Sequence, residues 1–70
     1  MYVDLRGPDG NAYMLLAIAS KIMMELEYEP YAIADVLDDM RSGDYRNLCE
    51  VMEYELNGHV ELENKPWEDE

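Results

Sequence analysis

The sequence predicts a mainly α-helical domain with a short two-stranded β ribbon, ordered β-α-α-α-β, in the small single-domain α+β class. Three observations predict it. Apolar residues recur at helical spacing in three stretches, each opened by a capping residue or a proline. Short runs that alternate apolar and polar residues stand near both ends. Seventy residues, 49% of them apolar, can bury one core and no more.

Tyr2-Val3-Asp4-Leu5-Arg6 alternates and then stops at Gly7-Pro8-Asp9-Gly10, a strand followed by a turn. Asn11, or Asp9 before it, can cap the first helix by accepting from free backbone N–H groups. That helix is expected from about Ala12 to Glu27. Leu15, Ile18, Ile22 and Leu26 fall on one face, but Met14, Leu16, Met23 and Met24 spread around it. A helix apolar nearly all round is central or lies in an interface, so residues 12–27 also offer a homodimer surface.

Pro30 suits the first position of a second helix. Its core stripe is Ile33, Val36, Leu37 and Met40, and Ser42-Gly43 closes it. Asp44 caps a third helix whose apolar set is Tyr45, Leu48, Cys49, Met52 and Leu56, ended by Asn57-Gly58. His59-Val60-Glu61-Leu62-Glu63 alternates again. The two strands are expected to pair, with Val3, Leu5, Val60 and Leu62 on one inner face under the helices, because an isolated ribbon is marginal in water. Residues 1–63 then form one compact domain, and 64–70 an acidic flexible tail.

Charge is distributed unevenly. Of the 17 carboxylates, 15 lie from Glu25 onward, against Arg41, Arg46 and Lys65 alone, so the net charge of −12 belongs to that part of the chain. Self-repulsion at this density requires a counterpart: a basic partner, bound cations or a strong core. The balance disfavours nucleic acid and anionic lipid as direct partners. The longest apolar stretch, Ala12 to Met24, falls short of the roughly 20 residues a membrane span needs. A neutral segment precedes it, unlike the basic start of a secretory signal. One cysteine excludes an internal disulfide, and a cytoplasmic location is expected.

Catalytic options are thin, and no enzymatic role or cofactor is expected. His59, the single histidine, has no evident nucleophile or orienting partner. Cys49 sits on the apolar stripe of the third helix, where a thiol is ordinarily inert core. Asp35, Asp38, Asp39 and Asp44 do not follow Ca²⁺-loop spacing, and no metal site is expected. The loop Arg6, Gly7, Pro8, Asp9, Gly10, Asn11 resembles in outline an anion cradle at a helix start, and is where a nucleotide or signal molecule would be sought. It lacks Walker and G-x-G-x-x-G spacing, and Asp9 would repel phosphate. A turn with a cap explains the same residues.

The acidic surface remains. Glu27, Tyr28, Glu29, Tyr31, Asp35, Asp38, Asp39, Glu50 and Glu53 are the candidate partner-binding residues, with tyrosine rings suited to interfaces interleaved among carboxylates. Carboxylates repeated along two helices can imitate a line of phosphates and occupy a basic nucleic-acid channel. Solubility alone accounts for a charge of only about 2–8 in a small domain.

Asp4-Leu5-Arg6-Gly7-Pro8-Asp9-Gly10-Asn11-Ala12 and Ser42-Gly43-Asp44-Tyr45-Arg46-Asn47-Leu48 together resemble a motif pair of small tailed-bacteriophage proteins. Those proteins join a DLRGP-acid-GNA opening to an SGDY helix start and a short hydrophobic C-terminal stretch. The resemblance spans roughly residues 3–63. It implies a phage origin and the host cytoplasm, and by class analogy a protein that binds and disables a host or anti-phage defence protein. This chain is more acidic than that pattern.

Overall fold

The computed structural model describes residues 1–69. β1 (Tyr2–Asp4) leads through a 3-10 turn at Pro8–Gly10 into α1 (Ala12–Glu25), followed by α2 (Pro30–Arg41), α3 (Tyr45–Glu55), β2 (Glu61–Glu63) and a 3-10 turn at Pro66–Asp69. This is the β-α-α-α-β order and α+β class the sequence predicts. The strands form a two-stranded parallel sheet with Val3 opposite Leu62. Short turns between the helices reverse the chain an even number of times, which returns β2 in the direction of β1.

The strands are three residues long, shorter than the alternating runs. Arg6 ends the first because its amide donates to Asp4 Oδ1 at 2.9 Å. Pairing extends just beyond both ends: Glu61 N–H donates to Met1 O at 2.7 Å and Leu5 N–H to Glu63 O at 2.9 Å. Val3, Leu5, Val60 and Leu62 are all buried, on the common inner face their alternation implies.

Asn11, rather than Asp9, caps α1 by accepting from Met14 N–H at 2.9 Å. Asp44 caps α3 through Asn47 N–H, also at 2.9 Å. Pro30 opens α2. Ser42 closes it, with both its N–H and its hydroxyl donating to Asp39 O.

α1 stops at Glu25, two residues before the expected end. Glu27 takes a left-handed φ of 65°. Tyr28 N–H donates to Met23 O at 3.0 Å and Glu27 N–H to Met24 O at 3.1 Å, the paired bonds of a Schellman ending. Glycine ordinarily fills that left-handed position, since a Cβ is strained there. Glu27→Gly is therefore expected to stabilise the chain by about 0.5–1 kcal/mol, a rise of several degrees in thermal midpoint for a domain of this size. Thermal unfolding followed by circular dichroism checks it.

The core joins Val3 and Leu5, Leu15, Ala19 and Met23 of α1, Val36 and Met40 of α2, Leu48, Cys49, Met52 and Leu56 around α3, and Val60 and Leu62. For α2 and α3 these residues all belong to the expected sets, of which Ile33, Leu37 and Tyr45 are only half-buried against the core. For α1 the buried line is Leu15-Ala19-Met23, not the Leu15-Ile18-Ile22-Leu26 stripe. Ile18 and Ile22 are half-buried on its flank, and Leu26 lies beyond the helix end, 40% exposed. The i, i+4 line wins because α1 packs against both α2 and α3, and small Ala19 allows close approach in the middle.

The segment expected as a flexible tail from residue 64 folds back instead. Trp67 packs against the core, its ring 6.4 Å from that of Tyr45 in an edge-on arrangement and 5.6 Å beneath the Arg46 guanidinium. Lys65 Nζ lies 3.0 Å from Glu53 Oε1. Glu70, the last residue of that expected tail, lies outside the described residues.

Candidate interaction surface

The inward face of α2 is fixed by Val36 and Met40, and this determines what points outward. Tyr31, Asp35 and Asp38 follow at i, i+4, i+7 and share one solvent stripe, with Asp39 one turn beyond Asp35. All three aspartates are exposed. Tyr31 is 72% exposed. Tyr28, the other tyrosine expected to flank this face, is half-buried against the core. Glu29 stands at the start of α2, where the helix dipole favours negative charge, whereas Glu27 lies at the C-terminal end of α1, where it does not. Glu29 occupies the cap position through its backbone, with no side-chain cap bond.

The candidate carboxylates differ in how far they are already engaged. Asp38 pairs with Arg41 at 3.2 Å, Glu50 with Arg46 at 3.5 Å and Glu53 with Lys65 at 3.0 Å. The Lys65 pair is the best shielded, and its hydrogen bond to Glu53 raises the lysine pKa. Among the described residues, Glu27, Glu29, Asp35 and Asp39 have no ion pair. Free charge runs along α2 and the turn before it, but among the described residues Glu25, Asp44, Glu55, Glu61 and Glu63 likewise have no ion pair, so it extends to the end of α1, to α3 and to β2 as well. On α3, Arg46, Glu50 and Tyr54 form a second stripe at i, i+4, i+8, in which Arg46 offsets Glu50 and Tyr54 is 83% exposed.

The Arg6–Asn11 loop is satisfied from within. Arg6 N–H bonds to Asp4 Oδ1, Gly7 N–H to Asp4 O at 3.0 Å and Gly10 N–H to Gly7 O at 3.1 Å. Asn11 Nδ2 donates to Pro8 O at 3.1 Å, and Asn64 Nδ2 donates to Asp4 Oδ1 at 3.0 Å. These bonds from Asn64 and from the Arg6 amide hold the Asp4 carboxyl below its ordinary range. Arg6 Nε reaches Asn64 O at 3.3 Å, tying the loop to the end of β2. Amides an anion would use at Arg6, Gly7 and Gly10 thus already serve the turn, with Asp9 exposed beside them.

Cys49 is fully buried, and burial pushes its thiol up to about 11. Burial likewise raises the Tyr45 phenol to about 12, and its hydroxyl donates to Gly10 O. Neither group is ionised near neutral pH, which gives Cys49 the chemistry of a small apolar side chain. Among the described residues no His, Cys, Asp and Glu side chains gather into a three-ligand metal set. No helix there is long and apolar enough to cross a membrane.

The Trp67–Tyr45–Arg46 contact was not anticipated from the sequence. Its one signal there is a lone tryptophan, the largest apolar side chain, set in a charged segment after Lys65-Pro66. No family model, no curated protein and no solved structure matches the chain.

Proposed function

We propose that the protein is a non-enzymatic, phage-encoded inhibitor that binds a basic surface of a host or anti-phage defence protein through the acidic face of α2. The observation that carries this reading is the run of unpaired carboxylates Glu27, Glu29, Asp35 and Asp39 around exposed Tyr31. Unpaired charge costs folding stability through repulsion, and Asp35 and Asp39 repel each other directly at i, i+4. A basic receptor converts that cost into attraction and steers encounter. Asp38 on α2, and Glu50 and Glu53 on α3, share their charge with Arg41, Arg46 and Lys65. Regularly spaced carboxylates can occupy a channel that normally holds phosphates, so the favoured receptor is a nucleic-acid-handling enzyme such as a nuclease or polymerase. The resemblance to tailed-phage proteins supports the host cytoplasm as the place of action.

Immobilised protein is expected to capture its receptor from host lysate at low salt and to release it as salt rises, since screening shortens the reach of exposed charges to about 10 Å at 0.1 M. The triple variant Asp35→Lys, Asp38→Lys, Asp39→Lys should lose that capture while keeping its helical circular dichroism, because all three side chains are exposed. Capture undiminished in the triple variant would exclude this face.

A further inference from the structure

Beyond β2 the chain lies across one line of α3. Tyr45, Cys49 and Glu53 follow at i, i+4, i+8 and so stack along one side of that helix. The two ends of the line are both held from beyond β2. The Trp67 ring stands 6.4 Å from that of Tyr45, and Lys65 Nζ lies 3.0 Å from Glu53 Oε1. Those ends are about 12 Å apart along the helix, so the chain joining Lys65 to Trp67 passes over the middle member, Cys49. That residue is 0% exposed. Burial dominates the state of its thiol, and the Tyr45 hydroxyl and the charges of Glu53 and Lys65 also act on it, so the Lys65–Glu53 pair lies near the sulfur.

The root of this segment is fixed to the sheet. Asn64 Nδ2 donates to Asp4 Oδ1 at 3.0 Å, and Asn64 O accepts from Arg6 Nε at 3.3 Å. Asn64 takes a left-handed φ of 57°, which asparagine tolerates, and turns the chain toward α3. Past that turn the attachment changes in kind. Among the described residues, no backbone hydrogen bond joins residues 65–69 to a helix or strand, and Glu68 N–H returns to Lys65 O at 3.1 Å. Side chains hold the segment down: Lys65 on Glu53, Trp67 against Tyr45, and Arg46 at 5.6 Å over the Trp67 ring. Lifting it breaks no bond of the sheet and displaces no helix.

We propose that residues 65–69 form a hinged strap that opens at Lys65 while the rest of the fold stays closed, and that this strap controls access to Cys49. Segments with few buried contacts open at free energies well below that of global unfolding. With the strap closed, Cys49 is a small apolar core side chain. With it open, the thiol meets water and loses the burial that raises it, so a larger share is thiolate near neutral pH. Once the sulfur carries an adduct, the fully enclosed site has no room for it, and the strap stays lifted. The strap lies on α3 and leaves the α2 face untouched, so it stands or falls apart from the inhibitor reading.

The test labels the full chain at neutral pH with dithiodipyridine, a neutral aromatic disulfide that a net charge of −12 does not repel. The Cys49 thiolate attacks one sulfur and forms a mixed disulfide, while the second sulfur leaves as thiopyridone, taking up the proton and giving the absorbance signal. Trp67 is the sole tryptophan, so its fluorescence follows the strap. Labelling is expected to proceed in low urea at a rate that barely rises with urea, because strap opening exposes little surface. Labelled chains should show the emission of a solvent-exposed Trp67 with helical circular dichroism retained. Trp67→Ala should label about tenfold faster or more. Lys65→Met, which keeps the stem and removes the charge, should label up to about fivefold faster. Glu27→Gly, which stabilises the fold as a whole, should leave the rate unchanged, as should Tyr54→Ala, exposed elsewhere on α3. Labelling that rises with urea as steeply as global unfolding, or a Glu27→Gly rate that falls in step with global stability, overturns the proposal. So does labelling of Trp67→Ala and Lys65→Met no faster than that of the wild type.

Discussion

Replacing Gly10 with alanine is expected to unfold the chain or bring it close to unfolding. A Cβ at this buried position would lie 2.2 Å from Leu5 O, 2.5 Å from Leu5 C and 2.7 Å from Leu5 Cα. All three are backbone atoms, so no side-chain rotation relieves the clash. Nor can the strand end retreat, because Leu5 is held by its bond to Glu63 O and by its own burial in the core. On the other side, the Gly10 carbonyl accepts from Tyr45, and α1 begins two residues later. Overpacking in a yielding core costs about 1–3 kcal/mol, and rigid surroundings put this case at or above the upper figure. A domain of 70 residues has only about 4–10 kcal/mol to lose. Gly58→Ala is the matched control: its φ of +88° strains an alanine, but the added Cβ meets nothing within 4 Å. That change should cost about 1 kcal/mol. Urea unfolding of the two variants measures the difference, and equal losses would mean that the Gly10–Leu5 approach is looser than described.

Local chemistry made much of this fold legible. Asn11, Pro30 and Asp44 start their helices as capping rules require, and amphipathic α2 and α3 bury the stripes their spacing marks. What escaped detection depends on contacts distant in sequence. α1 is apolar all round, so periodicity could not decide which line faces inward; α2 and α3 together decide it. Trp67 docks on Tyr45 and Arg46 from a four-residue 3-10 turn, too short to carry a period. The early stop of α1 was hidden because Glu27 stands where glycine usually announces a left-handed ending. For the acidic surface, the sequence located the charge but not its engagement. Only the folded chain distinguishes unpaired Asp35 from Glu53, whose partner Lys65 arrives from beyond β2. The strands were legible as a pair through the alternation that buries Val3 and Leu62, whereas their parallel sense follows from chain topology.

Met23 and Met24 put the orientation of α1 to the sharpest test, since these neighbours are chemically identical and about 100° apart around the helix. Met23 is fully buried and Met24 is 66% exposed. Met23→Ala removes a thioether side chain from the centre of the core and leaves a cavity, an expected loss of about 2–5 kcal/mol. At about 4–8 °C per kcal/mol for a domain of this size, the thermal midpoint should fall by at least about 8 °C. The backbone bond from Tyr28 N–H to Met23 O survives the substitution, so the loss reports packing and not the helix ending. Met24→Ala should change monomer stability by less than about 0.5 kcal/mol, as exposed positions do. Thermal unfolding of the two variants, followed by circular dichroism, separates the two roles. Equal losses at the two positions would require α1 to be rotated about its axis, with Met24 turned inward.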